Sequence, residues 1–166
     1  MQGFPVVNGN DEGVEPRGPM QEGEAAGKKP AARDRPRPIK SILHVDDETI
    51  QRFTMSRLLA ACCEDVTVVS AVDGKEGLDT MMQHEFDLVI SDLEMPNMDG
   101  RDMIVTYRAW EAEARHPRHQ LVVCYTGADD SDEELLAAGF DKVMRKPITK
   151  AKVAELVNGV ASSTSN

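Results

Sequence analysis

The sequence predicts an α/β domain in which five β/α pairs build a doubly wound parallel sheet with helices on both faces. Three observations predict it. Short β-branched runs alternate with stretches of helical period. Most of those runs are apolar throughout rather than at every second residue, as a sheet covered on both sides requires. After residue 38 prolines and glycines thin out, leaving about 128 residues, enough for one ordinary domain.

Residues 1–38 hold six of the nine prolines and six of the twelve glycines, with few large apolar groups. Such a composition cannot bury enough surface to offset ordering entropy, so this stretch is expected to be a disordered tail or linker. Arg33, Arg35 and Arg37 alternate with Asp34, Pro36 and Pro38, which favours a solvated linker over a nucleic-acid arm.

The first strand is expected over 41–45, with His44 packed inside it. A helix over 49–61 places Ile50, Phe53, Leu58 and Ala61 near one face, which is expected to cover the sheet. A second strand over 67–71 precedes a helix that groups Leu78, Met81 and Met82. The third strand is expected over 87–91, with Asp99 and Gly100 read as a turn. A helix over 103–115 follows, grouping Met103, Ile104, Tyr107 and Trp110. The fourth strand is expected over 121–125. Ser131 and Glu134 then form a capping box before Leu135 and Leu136, and Gly139 can close that helix with a positive φ. The acids Asp129, Asp130, Asp132, Glu133 and Glu134 read as a helix-start charge run, because no glycine stands where a calcium loop needs one. The fifth strand is expected over 142–144. Thr149 caps the last helix, whose Val153, Leu156, Val157 and Val160 recur at helical spacing until about Ala161. The folded domain therefore spans 39–161, with 162–166 a disordered end.

Charge narrows the function. Residues 1–38 carry six basic and six acidic side chains, so the whole net charge of −10 sits on the folded part. An acidic domain repels phosphate backbones and anionic lipid, which argues against nucleic-acid and membrane binding. Seven aromatics are too few for a base-stacking surface. The chain shows neither an apolar run of membrane length nor a secretion signal, so a cytoplasmic location is expected. Cys62, Cys63 and Cys124 fit neither a disulfide framework nor C-x-x-C metal spacing, and read as reduced, mostly buried small hydrophobes.

The polar groups at the strand ends carry the chemistry. Asp46 and Asp47 follow the first strand, Asp92 the third, Thr126 the fourth and Lys146 the fifth. The carboxyl ends of parallel strands share one sheet edge, so three carboxylates, a hydroxyl and an ammonium converge there. Buried carboxylates at close range must protonate unless a cation compensates. Hard oxygen donors without His or Cys suit Mg²⁺, which joins carboxylates to phosphate oxygens. Lys146 and Thr126 can meet the phosphoryl oxygens that the metal does not reach. Asp92 stands alone after Leu88, Val89 and Ile90, and is assigned as the nucleophile that forms an acyl phosphate.

The segment from Ile42 to Glu48 (ILHVDDE), the segment from Asp92 to Gly100 (DLEMPNMDG), Thr126 and Lys146 with Pro147 resemble the receiver domain of two-component response regulators and hybrid histidine kinases. The resemblance spans about residues 39–160. It implies a flavodoxin-like sheet of strand order 2-1-3-4-5. It further implies that Asp92 takes a phosphoryl group from a phosphohistidine, and that Asp47, Asp92 and the backbone carbonyl of Glu94 bind Mg²⁺. Asp46 would hold a metal-bound water, Lys146 would contact the phosphoryl group, and Thr126 would move toward it as a switch. Pro147 would be cis. The implied partners are a histidine kinase or histidine phosphotransfer protein and a downstream protein, with dimerisation on phosphorylation as a further option.

Three departures from the family pattern stand out. Val143 occupies a position that is often aromatic. The interval from Thr126 to Lys146 is about two residues short, which predicts a clipped fourth loop and helix. Glu94 adds an acid beside the acceptor. Two other functions remain open at this point. One is a small Mg²⁺-dependent phosphohydrolase with an aspartyl nucleophile, against which stands the absence of a second Asp two residues after Asp46. The other is a degenerate receiver that binds partners without phosphate.

Overall fold

A computed structural model describes residues 38–114 and 119–163. The elements are β1 Ser41–Val45, α1 Thr49–Cys62, β2 Thr67–Ala71, α2 Gly74–Gln83 and β3 Leu88–Ser91. They continue with α3 Gly100–Glu113, β4 Val122–Thr126, α4 Asp132–Ala138, β5 Lys142–Arg145 and α5 Lys150–Ser163. All five strands are parallel and lie in the order β2-β1-β3-β4-β5, as expected. The chain first winds one way, to β2, and then crosses β1 to begin winding the other way at β3. That reversal opens a crevice beyond the carboxyl ends of β1 and β3.

Alternation along the strands divides the core into two layers. Leu43 and Val45 of β1 and Val89 of β3 pack with Leu78, Met81, Met103, Ile104 and Tyr107 from α2 and α3. Ile42, Leu88 and Ile90 face the other way, against Met55 and Leu59 of α1 and Val153, Leu156 and Val160 of α5. Each fully buried aliphatic side chain contributes about 2 kcal/mol against ordering entropy, so the two layers together hold the sheet rigid beneath its polar edge. At the opposite edge the buried Gln120 ties three elements together. Its Oε1 accepts from the Phe86 amide at 3.1 Å, and its Nε2 donates to Met81 O at 3.2 Å and to the Tyr107 hydroxyl at 2.6 Å.

Several expectations need correction. Ile50 and Phe53 do not cover the sheet: they are 79% and 66% exposed, Ala61 is exposed and Leu58 half-buried, while Met55 and Leu59 are buried. Helix α1 carries two apolar stripes, and the one spaced four apart, Met55 and Leu59, faces β1 and β3. Continuous burial also fails on β2, where Thr67, Val69 and Ser70 are exposed because this edge strand has one neighbour only. Helix α3 begins three residues early. Asp99 is its N-cap, accepting from Asp102 N at 2.7 Å, so the expected turn is a helix start. Gly100 is required there, since a Cβ would lie 2.2 Å from the Asp92 carbonyl oxygen.

Strand β3 starts one residue late, and β4 runs from Val122 to Thr126 so that Thr126 ends the strand instead of following it. The Ser131 capping box is present, Gly139 has φ of 121°, and α4 has only seven residues, in keeping with the short interval before Lys146. Thr149 Oγ1 accepts from Lys152 N at 3.3 Å, and α5 extends two residues past Ala161, to Ser163. The expected tail, with Arg33, Arg35 and Arg37, and residues 164–166 lie outside the described residues, apart from Pro38.

Candidate functional site

The carboxyl ends of the strands bring the expected residues together. One oxygen from each of Asp46, Asp47 and Asp92 lies within 4.8 Å of the others. Asp46 is fully buried, Asp92 nearly so, and Asp47 opens to solvent. Backbone bonds hold the acid-bearing ends in register: Asp92 N donates to Val45 O at 2.8 Å, and Gly100 N to Leu93 O at 2.8 Å. The helix start at Gly100 thus closes the loop that carries Asp92 and Glu94.

Each carboxylate meets a different environment. Asp92 Oδ1 accepts from Leu93 N at 2.7 Å, and Asp92 Oδ2 accepts from Lys146 Nζ at 2.7 Å. Asp46 Oδ1 accepts from Glu48 N at 2.9 Å, while its buried Oδ2 has no hydrogen-bond partner among the described residues and lies 3.9 Å from Lys146 Nζ. Burial pushes the Asp46 pKa up to about 6, against the Glu48 amide, with the Asp92 charge adding to the rise. A buried carboxylate oxygen without a donor, beside two further carboxylates, fits a hard divalent cation such as Mg²⁺. Burial alone would lower the Lys146 pKa, but its bond to Asp92 and the nearby charges overcome that and hold it above the usual lysine value.

The loop after β4 is pinned from two sides. Thr126 Oγ1 accepts from Ala128 N at 2.9 Å, and Lys146 N donates to Thr126 O at 2.9 Å. The Arg145 guanidinium donates to the carbonyls of Ala128, at 2.6 Å, and of Asp130, and pairs with Asp132 at 2.5 Å. Arg101, in the first turn of α3, pairs with Asp130 at 2.5 Å. An open cleft of about 510 Å³ lies here, its lining including Asp47, Glu94, Arg101 and Asp130. The Lys146–Pro147 bond is cis, as the resemblance implied.

The sequence of residues 42–158 matches the response regulator receiver domain. The chain belongs to the receiver domain family. A relative is the sensor histidine kinase GacS of Pseudomonas protegens, 36% identical over 120 residues, which are 70% of this chain and 12% of that protein. The chain thus spans a small part of the length of such curated relatives. Among solved structures it is similar to a receiver domain from Clostridium thermocellum, with 27% identity and a TM-score of 0.62, covering 76% of this chain and 97% of that one. It also shares the fold of the Saccharomyces cerevisiae Ssk1 receiver domain, solved with the histidine phosphotransfer protein Ypd1, at 17% identity and a TM-score of 0.69. That match covers 78% of this chain and 93% of that one.

Within this receiver three features escaped the sequence reading. Arg145 lies just past the expected fifth strand and had no role assigned, though a basic residue directly before Lys146 and close to the acidic run 129–134 is a usable signal. Arg101 and Tyr125, whose ring centroid lies 5.1 Å from Lys146 Nζ, carry none, because their contacts depend on three-dimensional placement. The cysteines correct one detail: Cys124 is buried, with its thiol pushed up to about 12 by burial, whereas Cys62 and Cys63 are half-buried at the end of α1. His44 is fully buried, as expected, and both its ring nitrogens lack hydrogen-bond partners among the described residues.

Proposed function

We propose that residues 39–161 form a phosphorylation-controlled receiver in a phosphorelay, with Asp92 as the phosphoacceptor and residues 1–38 as tail or linker. The observation that carries this reading is the Lys146 ammonium bonded at 2.7 Å to Asp92, inside a cluster of three carboxylates. An oxygen of Asp92 attacks phosphorus of a phosphohistidine; the new O–P bond forms as the N–P bond breaks, and the imidazole leaves with the bonding pair. Asp47, Asp92 and the backbone carbonyl of Glu94 would hold Mg²⁺, with Asp46 on a metal-bound water, and the ion would neutralise charge on the transferring group. Lys146 stays charged and moves from Asp92 alone to Asp92 and a phosphoryl oxygen.

Thr126 gives the switch. To donate to the phosphoryl group, its hydroxyl moves inward from the Ala128 amide that it now accepts from, and the loop that Arg145 grips yields with it. Inverting a 1:99 population requires the phosphoryl group to favour the new arrangement by about 5.5 kcal/mol. Several charge-assisted bonds at about 1.5 to 3 kcal/mol each reach that value. Val143 is half-buried and brings no ring to this motion. The output passes to a downstream protein in the cytoplasm.

Incubation with acetyl phosphate, followed by intact mass, tests the reading. One phosphoryl group per chain, dependent on Mg²⁺, is expected. Absence of an adduct despite Mg²⁺ binding overturns it in favour of a degenerate module, and sustained multiple-turnover phosphate release overturns it in favour of a hydrolase.

The donor surface follows from α1. Ile50 and Phe53 stand exposed one turn after Asp46 and Asp47, and Arg57 lies over the Phe53 ring at 5.7 Å. Exposed apolar side chains at the rim of a polar cleft mark a protein contact. Ssk1, a receiver of the same fold, is known in complex with a phosphotransfer protein, and we assign this face of α1 to such a donor. Ile50→Ser with Phe53→Ser is expected to slow transfer from a phosphorylated histidine phosphotransfer protein by about tenfold or more. Labelling by acetyl phosphate, which needs no docking, stays unchanged. Equal slowing of both reactions, or of neither, removes the face from donor binding.

A further inference from the structure

Tyr125 ends the apolar run of β4 one residue before Thr126, and its side chain is 1% exposed within the layer shared with α1 and α5. A phenol that deep is there for its ring or for its hydroxyl. The ring has a visible partner: Lys146 Nζ lies 5.1 Å from the Tyr125 ring centroid, while the same ammonium bonds Asp92 Oδ2 at 2.7 Å. The hydroxyl sits near the Ile148 backbone amide, which opposes the rise that burial imposes on its pKa. One side chain from β4 thus touches both sides of the segment from Lys146 to Ile148.

A lysine stem has four rotatable bonds, and the ammonium is attracted to each nearby carboxylate. Asp46 Oδ2, only 3.9 Å from Nζ, competes with Asp92 for it. A ring face presented from below adds an attraction that is directional and leaves the carboxylates free, and it strengthens where water is excluded. The side chain at Val143, on the neighbouring strand, belongs to the other core layer and cannot serve this purpose.

We propose that Tyr125 is a positioning residue for phosphoryl transfer, its ring face holding the Lys146 ammonium over Asp92 where the phosphoryl oxygens arrive. This rests on the reading of Asp92 as phosphoacceptor. Tyr125 touches no reacting atom; it acts through Lys146.

The test measures the rate of Mg²⁺-dependent labelling of the full chain by acetyl phosphate. Tyr125→Phe keeps the ring, and its rate is expected to stay within about twofold of the parent, whereas Tyr125→Leu is expected to lose about three- to tenfold. Because a leucine leaves space in a packed layer, a second series keeps the shape: fluorinated phenylalanines placed at position 125 drain the ring face of negative charge at nearly constant volume. Their rates are expected to fall stepwise with fluorination. The effect must also vanish when Lys146 is Met, since a ring that acts through the ammonium has nothing left to hold. A rate independent of fluorination, or the same loss by Tyr125→Leu in the Lys146→Met background, overturns the proposal while leaving Asp92 as acceptor. An unlabelled parent chain overturns the acceptor reading itself.

Discussion

Asp92→Asn is expected to abolish the phosphoryl adduct while the domain stays folded. An amide oxygen is too weak a nucleophile to attack phosphorus, so no adduct forms at any Mg²⁺ concentration, and intact mass reads the loss directly. The fold tolerates the change because two effects oppose. The asparagine keeps an acceptor for Leu93 N, now 2.7 Å from Asp92 Oδ1, but forfeits the charged bond that Lys146 makes at 2.7 Å to Oδ2. In return, one of three mutually repelling carboxylates disappears from the cluster. The unfolding free energy from denaturant titration should therefore move by no more than about 1 kcal/mol.

Lys146→Met separates the roles further. The acceptor survives and the ammonium is gone, so labelling persists at a rate lower by about 10² to 10³, the usual worth of one preorganised charge on a transferring group. Full-rate labelling of this variant would remove Lys146 from the mechanism. An adduct on the Asp92→Asn chain would place the acceptor on another carboxylate, and the fully buried Asp46 and the exposed Asp47 would be the first to map.

The sequence made the architecture readable because both codes it uses are local. Continuous apolar runs in β1, β3 and β4 report two covered faces, and strand ends in a parallel sheet share one edge, so Asp46, Asp92, Thr126 and Lys146 could be brought together without coordinates. Helix phase was harder. In α1 the exposed Ile50 and Phe53 are as apolar as the buried Met55 and Leu59, and hydrophobicity alone cannot tell a face that meets the sheet from one that meets another protein. The start of α3 was missed for a different reason: an Asp-Gly pair serves equally as turn or as N-cap followed by a close approach, and only the 2.2 Å from a Cβ at Gly100 to Asp92 O decides. Arg101 and Tyr125 meet Asp130 and Lys146 across the sheet edge, in pairings that no sequence window contains.

His44 sets the last expected result. It lies on β1 two residues before Asp46, fully buried, with both ring nitrogens unpartnered among the described residues, and burial, aided by Arg52 and Lys146, lowers its pKa from 6.5 to about 4. The native state keeps it neutral. Above pH 6.5 neither the folded nor the unfolded histidine is charged and its contribution is intact. Below that, the unfolded chain takes up the proton first, and stability falls until the folded value near 4 is passed. The loss amounts to about 3 kcal/mol over that window. Asp46 works with the opposite sign: its folded pKa is raised from 3.8 to about 6, so its contribution is present below 3.8 and disappears as pH rises through 6. That change is also about 3 kcal/mol, and between pH 4 and 6 the two largely cancel. Single variants should expose each slope. In urea titrations without Mg²⁺, His44→Leu is expected to gain stability relative to the parent as pH falls from 6.5 to 4. Asp46→Asn is expected to gain relative to the parent as pH rises from 4 to 6, its amide still accepting from Glu48 N. A His44→Leu difference that does not vary with pH would mean that the imidazole is not held neutral in the fold. The near cancellation has a physical consequence for the site: over this acid window the His44 and Asp46 contributions offset each other while Asp46 changes from a protonated to an ionised carboxyl, the form in which its oxygen can take a cation.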